Sequence, residues 1–176
     1  MKIEKLKQIA EDLIETFNSA GQLSIDLYNK GLKIQIKDDN SPVSNGDLEV
    51  NNIITKKIKE LTPEIPIISE ETVDLKKKNT AKIFWLIDPI DGTKEYIGGK
   101  DEYTLNAALV IDTVPVLGLV GAPKKKRLFY TYAPGESFLV ENGKTEKINC
   151  KKKQPKGKIV AVSSAIKPSD VILNKL

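Results

Sequence analysis

The chain contains no histidine and a single cysteine, Cys150. Without imidazole there is no Ser-His-Asp triad, no phosphohistidine intermediate and no zinc or iron site built on histidine. One thiol excludes an internal disulfide and a multi-cysteine metal site. Lys147 and the lysines at 151–153 would favour a thiolate at Cys150, but no Cys-x₅-Arg phosphatase loop follows it, and an incidental strand-end cysteine accounts for it. No apolar run approaches the ~20 residues of a membrane span. The first residues, Met1 to Phe17, mix charges into their apolar positions instead of forming a signal-peptide core. A cytoplasmic protein is the expectation. Hydrolytic chemistry in such a chain must rest on carboxylates, hydroxyls, lysines and a hard metal ion.

What is present is ordinary in amount. The 176 residues suffice for one well-cored domain, or one domain and part of another. The formal charge of +4 is mild, and the basic clusters at 76–78, 124–127 and 151–153 fall beside turn residues. Solvated loops explain them, and a nucleic-acid polymer is not an expected partner.

Ile3, Leu6, Ala10, Leu13 and Phe17 follow three-four spacing and predict an amphipathic helix running on toward Tyr28, with Ala20-Gly21 allowing a close contact. Leu32, Ile34 and Ile36 alternate with polar residues as a half-buried strand does, and 37–46 reads as a turn-rich loop. A second helix is expected from near Asp47 to Leu61, with Val50, Ile54 and Ile58 on one face and Thr62-Pro63 ending it. Short strands follow at 65–68 and 82–87, then a brief helix after Gly92. A meander is expected at 104–111, 116–120, 127–132, 137–141 and 146–150, with Pro134-Gly135 and Asn142-Gly143 as turns. One more strand is expected at 158–163, and a Pro-Ser-Asp helix start at 168–170 is cut short. Two helices followed by mostly antiparallel strands indicate an α+β fold rather than a doubly wound sheet. The expected division is 1–154 as an N-terminal metal-binding domain and 155–176 as the start of a C-terminal domain that is largely missing.

The segment from Trp85 to Thr93, Trp-Leu-Ile-Asp-Pro-Ile-Asp-Gly-Thr, carries the most chemistry. A buried strand delivers Asp88 at its end, and Pro89 is expected to turn the chain sharply and bring Asp91 beside it. The Ile90 carbonyl can face the same ion, in keeping with the oxygen ligands magnesium prefers. Gly92 and Thr93 follow where a helix begins, a place whose free amides suit phosphate. The Thr93 hydroxyl can orient an attacking water. The competing reading is that Asp88 and Asp91 merely cap a turn. Glu70 ends the preceding strand, and if strands 65–68 and 82–87 are neighbours it meets Asp88 at one sheet end; Glu71 is the alternative, or else faces solvent. Carboxylates facing a magnesium pair ~3.5–4 Å apart would suit phosphoryl transfer. Asp47 is either a helix N-cap or a hydrogen-bond partner that makes Thr93 a better acceptor from water; both roles are compatible.

Three segments, Ser41-Pro-Val-Ser-Asn-Gly-Asp47, Ile68-Ser-Glu-Glu71 and the run from Trp85 to Tyr96, resemble the motifs of the inositol monophosphatase superfamily. Thr93-Lys94-Glu95-Tyr96 resembles its CysQ-type 3′(2′),5′-bisphosphate nucleotidase branch, and Glu102-Tyr-Thr104, Asn106-Ala-Ala-Leu109 and Gly118 to Pro123 match the strands that follow. The resemblance implies a layered αβαβα sugar-phosphatase-type fold. It implies Mg²⁺-dependent hydrolysis of the 3′-phosphate of adenosine 3′,5′-bisphosphate to AMP by metal-activated water, a role in sulfur metabolism and lithium sensitivity. It carries over Glu70, Asp88, Asp91 and the Ile90 carbonyl as ligands of about two or three magnesium ions. Asp47 and Thr93 become the water-activating pair, Glu70 joins them as a catalytic position, and Glu70, Asp91, Gly92 and Thr93 contact substrate. Family analogy allows a homodimer and peripheral association with the inner membrane face; the sequence itself argues for neither.

Two departures stand out. Members of the family continue into a second domain with a Trp-Asp motif for the second metal, whereas Trp85 is the only tryptophan here. Asn45-Gly46 stands where the family has a small residue plus alanine. Rival readings are an inositol or sugar monophosphatase of the same superfamily, and an inactive fragment or partner-dependent domain.

Overall fold

The computed structural model describes residues 1–37, 40–73 and 81–149. Cys150, the lysines at 76–78 and 151–153, the strand expected at 158–163 and the helix start at 168–170 lie outside the described residues, as does the expected second domain.

Helix α1 spans Ile3–Lys30 and buries Leu6, Ile9, Ala10, Leu13, Phe17 and Ala20, the stripe its three-four spacing predicts except at Ile3, which starts the helix and is exposed. Gly21 lets the helix approach Pro123, whose side chain would stand 3.2 Å from a Cβ at that position. Strands β1 (Ile34–Ile36) and β2 (Pro42–Ser44) pair antiparallel in a small sheet of their own. This corrects two expectations. Region 37–46 is not simply a loop, and β1 is not half-buried, since Ile34 and Ile36 are exposed. Alternation in so short a strand does not show which face, if either, meets a core.

Helix α2 spans Asn45–Leu61, with Val50, Ile54 and Ile58 fully buried. Its N-cap is Ser44, not Asp47: Asp47 is the third helical residue and closes a capping box back onto Ser44.

Among the described residues the main sheet has seven strands in sequential order: β3 (Ile67–Ser69), β4 (Ile83–Asp91), β5 (Thr104–Ile111), β6 (Val114–Ala122), β7 (Arg127–Ala133), β8 (Glu136–Glu141) and β9 (Lys144–Ile148). β3 and β4 are parallel and all later pairs antiparallel, as the α+β reading expects. The short helix α3 (Thr93–Ile97) interrupts the chain between β4 and β5.

Both long helices pack on one face of the sheet, over Trp85, Ile87, Leu105, Leu109, Leu117, Leu119 and Leu128. Period-two alternation sends Leu86, Val120 and Phe129 to the opposite, exposed face. Two layers of the expected αβαβα stack are therefore seen among the described residues. Two buried hydrogen bonds fix α2 against the sheet: Trp85 Nε1 donates to Thr62 Oγ1 at 3.0 Å, and Ser69 Oγ donates to Asn51 Oδ1 at 2.6 Å. Among the described residues no helix is long and apolar enough to cross a membrane.

Candidate metal and phosphate site

Parallel pairing of β3 with β4 matches Ser69 to Ile87, and the Glu70 amide donates to the Ile87 carbonyl at 3.1 Å. Glu70, just past the end of β3, thus lies beside Asp88 of β4. Asp91 joins them through a bulge rather than the sharp turn expected of Pro89. Asp88 pairs with Asn106 and Asp91 with Thr104, so three steps on β4 oppose two on β5. In a regular strand residues three apart face opposite ways; one extra residue restores them to the same side. Asn106 Nδ2 lies 3.4 Å from Asp91 Oδ2 on that side.

Asp88 carries the least compensated charge. Its Oδ1 is buried with no hydrogen-bond partner. Burial, then the charges of Glu70 and Asp91, push its carboxyl up to about 7 from an ordinary 3.8. Such an orphaned oxygen beside two more carboxylates fits a hard divalent cation. The ligand set is not pre-assembled, however: among the described residues no three acidic, histidine or cysteine side chains stand grouped for one ion. A lysine stands against part of the cluster.

That lysine, Lys37 at the end of β1, was not anticipated. Its Nζ lies 3.0 Å from Glu71 and 3.6 Å from Glu70. The expected exposures are reversed: the Glu71 side chain is only 4% exposed, whereas that of Glu70 is half exposed. Desolvation pulls the Lys37 pKa down, yet the two carboxylates outweigh it and the net shift is upward. Burial raises the Glu71 pKa in spite of Lys37, and the nearby charges of Asp47 and Glu70 add to the rise.

Thr93 opens α3, and its hydroxyl lies 3.1 Å from Asp47 Oδ1 and 3.2 Å from the Ile90 carbonyl. Asp47 Oδ2 accepts from the Ser44 amide at 2.8 Å and the Ser44 hydroxyl at 2.6 Å. One carboxylate therefore caps α2 and reaches α3. Gly92 before Thr93 has φ +92°, and a Cβ there would lie 2.9 Å from the Glu102 carbonyl, so only glycine fits. No side chain caps the start of α3, and the first amides of a helix have no partner within it. Ser44 had a readable signal, a hydroxyl residue three before Asp47; Lys37, Asn51, Ser69 and Asn106 had none, because their partners are distant in sequence.

A family model described as the inositol monophosphatase family matches residues 5–174. A curated relative from Aggregatibacter actinomycetemcomitans, a 3′(2′),5′-bisphosphate nucleotidase CysQ, is 34% identical over 172 residues, covering 95% of this chain and 64% of its own. Among solved structures, CysQ from Bacteroides thetaiotaomicron aligns with a TM-score of 0.58 at 29% identity, over 80% of this chain and 52% of that one. An IMPase/NADP phosphatase complexed with Mg²⁺ and phosphate gives a TM-score of 0.67 at 19% identity, over 77% and 52%. The chain thus spans about 64% of the length of the curated relative. Matched along almost its whole length, the chain belongs to the inositol monophosphatase family.

Proposed function

We propose that the protein hydrolyses the 3′-phosphate of adenosine 3′,5′-bisphosphate with magnesium, and that this chain supplies its metal-holding and water-orienting groups. The orphaned buried oxygen of Asp88, next to the Thr93–Asp47 hydrogen bond, carries this reading. The nucleotidase name of the curated relative supports the substrate, and the Mg²⁺ and phosphate of the structural neighbour support the cofactor.

Glu70, Asp88, Asp91 and the Ile90 carbonyl would hold the cations. Bound magnesium supplies positive charge for the phosphoryl oxygens and makes water more acidic. The remaining steps belong to the chain. The amides at Gly92 and Thr93 receive the phosphate. Thr93 donates to Asp47, which turns a hydroxyl lone pair toward the attacking water. The water's proton passes to the Thr93–Asp47 pair as its oxygen bonds to phosphorus. The bond from phosphorus to the 3′-oxygen breaks, and that oxygen takes a proton from solvent. No covalent phosphoenzyme forms in this reading, because the Thr93 hydroxyl orients the attacking water instead of bonding to phosphorus itself. Lithium inhibition belongs to the same reading.

Phosphate release from adenosine 3′,5′-bisphosphate, inositol 1-phosphate and a sugar phosphate, each with and without magnesium, tests it. The bisphosphate should be turned over fastest, and only with the metal. Preference for inositol 1-phosphate would overturn the substrate, and metal-independent release would overturn the mechanism.

Lys37 competes with cations for Glu70 and Glu71. Lys37→Met should tighten magnesium binding about two- to fivefold by calorimetry, the worth of a partly exposed ion pair. Weaker binding would show that the lysine assembles the ligands instead of occupying them.

A further inference from the structure

Helix α3 has five residues, too few to hold itself in place, yet it carries the Thr93 hydroxyl. Its anchor is Tyr96, which is 1% exposed. The Tyr96 hydroxyl donates to the Ser24 carbonyl of α1 at 2.7 Å. Its ring lies against Tyr103 with centroids 4.9 Å apart, and the Tyr103 hydroxyl is 2.8 Å from Ser24 Oγ. On the α2 side the ring passes directly over Gly46, the residue before Asp47. A Cβ at position 46 would stand 2.4 Å from the Tyr96 hydroxyl oxygen, 2.6 Å from Cε1 and 2.8 Å from Cζ. Real Cβ atoms do not approach so closely, and this ring, packed and hydrogen-bonded on its far side, has nowhere to retreat.

We propose that Gly46 and Tyr96 are a matched positioning pair: the missing side chain on α2 admits the Tyr96 ring, which clamps α3 to α1 and sets Thr93 against Asp47. Its catalytic consequence rests on the proposed role of the Thr93–Asp47 pair; the clamp itself does not. Tyr96 acts through Thr93 and touches no reacting atom. A side chain at 46 displaces the ring, and α3 moves with it, because Tyr96 lies only three positions after Thr93.

Four proteins test this: the unaltered chain, Gly46→Ala, Tyr96→Phe and the double variant. The readouts are the Thr93 methyl resonance, exchange of the Tyr96 amide that bonds Gly92, the unfolding midpoint, and kcat and KM for adenosine 3′,5′-bisphosphate. Gly46→Ala should shift the Thr93 methyl and speed Tyr96 amide exchange by about tenfold or more as α3 loosens. It should also lower kcat about tenfold while KM changes less than about twofold, the mark of misplacement rather than lost binding. Tyr96→Phe alone should act in the same direction and more weakly. The double variant should recover at least about threefold in exchange over Gly46→Ala, since the closest atom and the tether holding the ring are both gone.

Effects that multiply without recovery, or an unmoved Thr93 methyl in Gly46→Ala, would overturn the clamp. If Gly46→Ala does not fold, the double variant decides: its folding supports the pair and its failure overturns it. A clamp that passes the resonance and exchange tests while kcat stays level would leave the pair standing and remove the catalytic role given to Thr93.

Discussion

Asp88→Asn is expected to make the metal-free chain more heat-stable while abolishing its response to magnesium. Both effects come from one oxygen. The Asp88 side chain is half-buried with an unpartnered, buried Oδ1, and this desolvation, with the charges of Glu70 and Asp91, raises its carboxyl to about 7. A neutral amide removes the repulsion and keeps the shape. Glu70 is half exposed, so part of that repulsion is already screened by solvent. A gain of ~3–6 °C in unfolding midpoint is a reasonable scale for a chain of this size. Magnesium should raise the midpoint of the unaltered protein and leave the variant unmoved, because stabilisation by a ligand requires affinity for the native state. A variant that melts lower, or still answers to magnesium, would contradict the assignment of Asp88.

The same carboxyl fixes a pH dependence whose sign follows from its raised value. Unfolded, it loses its proton near 3.8; folded, it keeps it to about 7. Between those values the native state holds the extra proton, so metal-free stability falls as pH rises through that window. Magnesium must displace that proton, so its affinity should climb by up to about tenfold per pH unit below pH 7 and level off above. Asp88→Asn should flatten both curves.

Asp47→Asn is expected to lower the rate of magnesium-dependent phosphate release about 10²–10³-fold, the usual worth of a positioned proton acceptor. Magnesium binding should persist, since Asp47 is not among the proposed ligands. The variant should also lose about 1 kcal/mol in urea unfolding, because the same carboxylate caps α2 through Ser44. Thr93→Val separates the two duties: it should reproduce the rate loss without touching the cap, and Thr93→Ser should restore most of the rate. A rate within twofold of normal in both Asp47→Asn and Thr93→Val would leave the site without its water-orienting pair.

Much of this was readable one segment at a time. The stripes of α1 and α2 depend on helical spacing alone, and the meander after Gly92 on alternation punctuated by turn residues. The three acidic motifs could be recognised because each is contiguous. Reading failed where the partner is remote. Nothing in the order of residues 32–37 shows that β1 leaves the core and carries Lys37 to Glu70 and Glu71. Exposure was misjudged at Glu71 for the same reason: burial is decided by what lies across the gap, here a cation more than thirty positions upstream.

The sequence by itself determined which chemistry was open to this chain. An absence of histidine and a single thiol with no phosphatase loop after it leave oxygen ligands and hydroxyls, and those are concentrated at 47, 70, 88, 91 and 93. Tertiary structure alone decided how they meet. The bulge that turns Asp91 to the side of Asp88 exists only in the register between β4 and β5. Glycine at 46, a departure from the family pattern when read in line, is required by a tyrosine fifty positions later. Side-chain type is a local property written in the chain; orientation and electrostatic environment are set by non-local packing, where a shift of a single residue or one methyl group changes which atoms touch.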